Sequence, residues 1–199
     1  GIATMFLAGL SWWIIGTGAV IGAVGAFFAY NYVLQGYQRD RVNVFLGLAD
    51  DPLGAGYHVL QSKIAIGSAG LFGRGYLQGT QSLLGYLPRT VAPNDFLFSV
   101  IAEEKGFVGS ACVVGLYAVI LFSGLRIAAQ TRDRLGTLLA TGVVAMLFFH
   151  VFINIGMTIG LMPITGLPLP LLSYGGSFVL ATMTALGLLQ NIWIHRRVY

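Results

Sequence analysis

Residues 135–194 contain no Asp, Glu, Lys or Arg, and neither do residues 1–38. A helical span of a bilayer takes about 20 predominantly apolar residues, so each run is too long for one span and too apolar for a water-facing domain. Charged residues make up 9% of the 199-residue chain and hydrophobic ones 56%, where soluble domains carry about 25% charged residues. That balance excludes a disordered chain, a collagen-like repeat and an ordinary cytosolic enzyme. The 28 glycines fit the same picture, because glycine is commoner in transmembrane helices than in soluble ones. The expected fold is all-α, a polytopic helical bundle integral to a membrane, forming one transmembrane domain over residues 1–199.

The breaks in the apolar runs predict the elements. Ser11, Trp12 and Trp13 mark an interfacial break, since Trp favours the membrane–water boundary. Residues 1–10 then read as the tail of a helix that starts before Gly1, as expected of a piece of a longer protein, and 12–34 as a full span. Residues 106–125, between Lys105 and Arg126, make another. Pro163, Pro168 and Pro170, with Gly166, Gly175 and Gly176, divide the longest run into helices at 136–161 and 176–195. Residues 55–72 carry Gln61, Ser62, Lys63 and Ser68 and read as an amphipathic helix facing a polar interior. The sum is about five spans plus a tail.

Orientation follows Lys and Arg in short loops. Arg39/Arg41, Arg126/Arg132/Arg134 and Arg196/Arg197 alternate with apolar spans and fit the cytoplasmic side, as does the C-terminus. Residues 11–13, 73–105 and 162–175 then face outward. The basic residues form no single polar face, which argues against nucleic acid as a partner. One cysteine, Cys112, excludes an internal disulfide and a cysteine-built metal site.

The long outward loop 73–105 holds most of the chemistry-bearing residues. Asp95 precedes Phe96, Leu97 and Phe98. A carboxylate desolvated against apolar rings has a raised pKa and suits a general base, while N-capping a helix that starts at Phe96 is the commoner use of Asp at such a place. Glu103 either faces a site or, with Glu104, forms a solvated helix boundary. Arg74 and Arg89 are fit for bidentate binding of a pyrophosphate and equally for lipid headgroups. Lys63 stands alone in an uncharged segment, which marks either a functional cation or one that snorkels to an interface. The Pro- and Gly-rich run 166–177 is irregular backbone of a kind tolerated at membrane depth only inside protein or along a cavity. His150 and Asn154 lie four apart on one helical face and read as a hydrogen-bonded pair, two ligands being too few for a metal. No Gly-rich phosphate loop, His-Glu-x-x-His or Gly-x-Ser-x-Gly pattern occurs.

The run Asn154-x5-Gly160-Leu161-x-Pro163-x-x-Gly166-Leu167-x3-Leu171-Leu172-Ser173-Tyr174-Gly175-Gly176-Ser177 resembles the signature of the SEDS family (RodA, FtsW and SpoVE). Gln61-Ser62-Lys63-Ile64-Ala65-Ile66-Gly67-Ser68 and Asp95-Phe96-Leu97-Phe98-Ser99-Val100-Ile101-Ala102-Glu103-Glu104 resemble two further blocks. With Gln78-Gly79-Thr80-Gln81-Ser82, the resemblance is nearest to the RodA branch. It runs from Tyr37 to Arg197 and fits the C-terminal half of a ten-helix protein. Ala69, Asn94 and Phe178 depart from the family pattern.

The resemblance implies a peptidoglycan glycosyltransferase of the bacterial cytoplasmic membrane, polymerising lipid II, a disaccharide–pentapeptide on undecaprenyl pyrophosphate, at the outer face for cell elongation, shape or division. It implies Asp95 as the essential acid and a class B penicillin-binding protein as transpeptidase partner. Lys63, Arg74, Arg89, Gln61, Ser68, Glu103, Ser173 and Tyr174 are candidate substrate contacts, and a divalent cation (Mg or Mn) is a candidate for steadying phosphate charge. The rival functions are a lipid II flippase and a non-catalytic scaffold for the transpeptidase.

Overall fold

The computed structural model describes residues 12–34, 36–48, 55–76, 79 and 95–195, and every regular element among them is helical. They are α1 (Trp12–Phe28), continued by a π-helical turn (Ala29–Val33), α2 (Gly36–Phe45), α3 (Ala55–Ser68), α4 (Leu97–Gln130), α5 (Arg134–Thr158) and α6 (Gly176–His195). By length and composition α4, α5 and α6 are able to cross a membrane. α1 with its π turn is a fourth apolar stretch, its Val20, Ile21, Phe27 and Phe28 side chains exposed. The proposed helix tail at 1–10, Ser11, Arg89, the Gln78 and Thr80–Ser82 positions, Asn94 and Arg196/Arg197 lie outside the described residues.

α5 runs antiparallel to both α4 and α6, which are parallel to each other. One hydrophobic cluster joins Ala128, Ala140, Val144, Leu189 and Ile192 near the ends that carry Arg126, Arg132 and Arg134. A second joins Phe98, Tyr117, Val151 and Leu169 toward the opposite end. Asp133 caps α5, its carboxylate accepting from Gly136 N at 2.9 Å.

Residues 55–72 differ from the expected span. The helix is 14 residues long, about 21 Å at 1.5 Å per residue, short of the ~30 Å hydrocarbon core. α3 instead packs beside the first turns of α4 and the last turn of α5, where the buried Ser62 Oγ donates to Thr158 O at 2.7 Å.

α4 begins nine residues before the expected span and breaks at Gly106, whose φ of 67° and ψ of −161° are open only to glycine at low cost. The break is closed by the turn at residues 70–75. Phe107 N and Val108 N donate to Gly70 O and Leu71 O at 3.0 and 3.1 Å. Glu103 O and Glu104 O accept from Arg74 N and Gly75 N at 3.0 and 3.1 Å. The donors and acceptors orphaned by the break are thereby satisfied, and the backbones of Gly73 and Gly106 touch with no room for a Cβ on either.

The Arg39/Arg41 cluster does not lie with the other arginines, which corrects the expected threading. Arg41 Nη1 donates to Ile164 O at 3.1 Å, so it sits at the end that carries the 162–175 segment. Arg39 caps the π turn there, donating to Tyr30 O and Asn31 O at 2.6 and 2.7 Å. The π turn that ends α1 accordingly lies at this end. Lys/Arg counting fails here for a physical reason: it holds for loops under ~60 residues, and the charge of longer segments does not set orientation. Between α1 and α4 the chain forms one such long segment.

Candidate functional site

Asp95 is placed by its neighbour. Phe96 is 1% exposed and packs on Val100 and Ile164, with the His58 ring of α3 at 6.4 Å. Burying Phe96 as the first anchor of α4 lifts Asp95 to the rim, half-buried. Phe96 occupies the cap position, and the Asp95 carboxylate takes no hydrogen bond from α4's first turn, so the capping reading is overturned. Instead Oδ2 faces the backbone of Gly166, where a Cβ would stand 3.5 Å away. Burial raises the carboxyl's pKa above its ordinary value, and the positive charge of Arg41 opposes that rise. The carboxylate is therefore more basic than one in water.

Asn154, fully buried on α5, holds this residue from behind. Its Nδ2 donates to Asp95 O at 3.0 Å and to Leu167 O at 2.7 Å. The expected His150–Asn154 pair is not formed. His150 Nδ1 lies 2.8 Å from Met146 O, within its own helix, and its ring lies 5.3 Å from that of Phe178.

A cavity of about 380 Å³ opens between α2, α3 and the turn after α5, walled by Arg41, Phe45, Val59, Lys63, Gly160 and Ile164 among others; Asp95 is not one of its walls and is linked to it through the charge of Arg41 and through Ile164, which packs on Phe96. Lys63 is exposed and lines this space. Its side chain passes over Gly160 so closely that any Cβ there would collide with Cε and Nζ; Gly160 has φ 77°.

The other candidates divide. Gln61 is half-buried on the same helix as Lys63, and Ser68 is exposed with its hydroxyl bonded to Ala65 O at 3.2 Å. Glu103 is fully buried, which overturns the solvated-boundary reading, and with Arg74 it belongs to the clasp at Gly106 through main-chain bonding. Ser173 is buried and its Oγ accepts from Leu169 N at 2.8 Å, closing a turn in which Leu171 has φ 66°; Tyr174 is largely exposed. The structure thus brings together Asp95, Lys63, Asn154 and Arg41, of which Arg41 was assigned to the wrong face and Asn154 to the wrong partner. A rule that exempts long loops from charge counting finds Arg41. Nothing local marks Asn154, 59 residues from Asp95.

Among the described residues no three His, Cys, Asp or Glu side chains converge on a point that suits a metal ion. Those residues therefore do not by themselves build a site of three such ligands.

The model of the FtsW/RodA/SpoVE cell cycle proteins matches residues 1–198. The peptidoglycan glycosyltransferase MrdB of Escherichia coli K12 is 46% identical over 198 residues, covering 100% of this chain and 53% of that protein. The peptidoglycan glycosyltransferase RodA of Treponema pallidum is 48% identical over 181 residues, covering 91% and 41%. A chain solved within a peptidoglycan synthase complex, in work on the coordination of polymerization and crosslinking, aligns with a TM-score of 0.75 and 36% identity, covering 100% of this chain and 53% of that one. The chain spans about half the length of the curated relatives it matches.

Proposed function

The chain belongs to the FtsW/RodA/SpoVE family, and on that premise we propose that it forms the part of a peptidoglycan glycosyltransferase that carries the general base, Asp95. Three helices of membrane length, with the family, make it a multi-pass membrane protein. The site end faces outward in this reading, because the short α4–α5 connection carries Arg126, Arg132 and Arg134 at the other end and short basic loops stay cytoplasmic. The membrane is the bacterial cytoplasmic one, with the C-terminus inside.

The reaction joins two lipid II molecules. The Asp95 carboxylate takes the proton from the 4-hydroxyl of the acceptor saccharide as that oxygen bonds to the anomeric carbon of the donor. The bond from that carbon to the phosphate oxygen breaks, and its electron pair leaves with undecaprenyl diphosphate. A single displacement inverts the anomeric centre. A positioned base contributes roughly 10²–10⁴-fold. Because the diphosphate leaves once its charge is balanced, no second carboxylic acid is needed, unlike glycoside hydrolysis. A divalent cation, where present, would supply positive charge to the leaving diphosphate, and Asp95 would be the carboxylate available to hold it. A crosslinking transpeptidase, a class B penicillin-binding protein, is the fitting partner.

The observation that carries this reading is the state of Asp95: half-buried, made more basic by burial, and under the charge of Arg41, which also walls a cavity reached by Lys63. The polar helix α3, 14 residues long, is by itself too short to line a flippase path across a bilayer. In detergent a transporter has nothing to move lipid II across. Glycan strands made there by the purified full-length protein support the enzyme; lipid II left unpolymerised contradicts it.

A further inference from the structure

We propose that the cavity between α2, α3 and the 160–164 turn is a diphosphate site in which Arg41 and Lys63 hold the leaving group of a lipid-linked sugar donor beside Asp95. This rests on the glycosyltransferase reading and adds to it the place and the residues of the leaving group.

Four observations carry it. The volume, about 380 Å³, lies in the range of small-ligand sites, ~300–1,000 Å³. Two cations reach it from different helices, and the described residues that wall it include no acidic one, an arrangement fit for an anion. Arg41 is held by its bond to Ile164 O, which sets the plane of a guanidinium fork whose geometry matches phosphate oxygens. Lys63 is held over Gly160, where the missing Cβ and the positive φ together make its channel. The remaining wall is apolar, with Phe45, Val59 and Met162, and suits the first isoprene units of a prenyl diphosphate.

The placement also has a chemical logic. Negative charge grows on the diphosphate as the glycosidic bond breaks, and fixed cations aimed at that charge lower the barrier. Arg41 acts on both partners: it walls the cavity and its field reaches the Asp95 carboxylate. A diphosphate bound there would offset that field and leave the base stronger when a donor is present.

The same cations would also attract a phospholipid headgroup, so the probes must separate the two. Purified full-length protein is titrated with farnesyl diphosphate, inorganic pyrophosphate, farnesol and phosphatidylglycerol, with calorimetric binding as the readout and thermal unfolding as the fold control. Farnesyl diphosphate is expected to bind and to compete with lipid II, farnesol not to bind, and phosphatidylglycerol not to displace the diphosphate. Lys63→Gln and Arg41→Gln should each weaken farnesyl diphosphate at least tenfold, Lys63→Arg should restore it, and Asp95→Asn, which removes a negative charge coupled to the same arginine, should bind at least as tightly as the unaltered protein. If Arg41→Gln loses its fold with the Ile164 contact, Lys63→Gln and Lys63→Arg decide alone. Unchanged affinity in the Gln variants, or equal displacement by phosphatidylglycerol, overturns the site. Glycan synthesis with unchanged diphosphate affinity in those variants sinks the site and leaves the enzyme. Lys63-dependent diphosphate binding without glycan synthesis does the reverse.

Discussion

The side-chain amide of Asn154 donates to the backbone carbonyl of Asp95 at 3.0 Å, and the same nitrogen donates to Leu167 O at 2.7 Å. One buried nitrogen therefore ties the start of α4 to the irregular segment after α5. These are the two pieces of chain that place the candidate base.

Removing that amide leaves two carbonyls unpaired. Asn154→Ala should cost about 1–3 kcal/mol of stability, the penalty of orphaned buried polar groups, and lower polymerisation at least tenfold because Asp95 loses its anchor. Asn154→Asp should be worse than Ala, since a carboxylate there meets the two carbonyl oxygens it cannot bond when ionised. Thermal unfolding and lipid II turnover, measured on the same preparations, check both; a fully active Asn154→Ala protein contradicts the anchoring role.

Position-dependent tolerance of glycine follows from the clasp at the α4 break. Ala at Gly106 or Gly73 meets backbone atoms and takes a positive φ, so each should lose about 2–3 kcal/mol or fail to fold. Gly67→Ala on α3 meets nothing within 4 Å and should be neutral or stabilising by up to about 1 kcal/mol. Unfolding midpoints of the three variants test the contrast, and equal midpoints contradict the clasp.

The pH dependence of polymerisation should report on Asp95. A base works ionised, so activity is lost as pH falls through its pKa. Burial raises that pKa, which places the acid limb above the ordinary carboxylate range. Arg41 pulls the other way, so Arg41→Gln should move the limb to still higher pH, apart from any loss in rate. A limb that stays in place, or moves down, in Arg41→Gln contradicts the electrostatic coupling.

The helices that follow long charge-free runs were the most legible. α5 and α6 end within three residues of where the Pro and Gly punctuation and the nearest charges put them, because lipid-facing composition admits few alternatives. The length of α3 was not legible, since an amphipathic pattern tells which face is polar but not whether the helix crosses a bilayer. In the candidate site, Asp95 and Lys63 stood out as lone charges among apolar neighbours. The cap reading of Asp95 failed because burial of Phe96, a tertiary effect, moved the helix start by one residue. The solvated-boundary reading of Glu103 failed for a related reason: its main chain is bonded to the turn at 70–75, across about 30 residues. Arg41 and Asn154 act through partners 123 and 59 positions away, and no local pattern encodes such distances.

The most direct measurement is lipid II polymerisation by purified Asp95→Asn protein in detergent, with folding verified by its unfolding midpoint. The substitution keeps the shape and the Asn154 contact to the main chain and removes only the basic carboxylate. Glycan synthesis should fall by at least a hundredfold with the midpoint nearly unchanged. Polymerisation at the unaltered rate would contradict the assignment of Asp95 as the base.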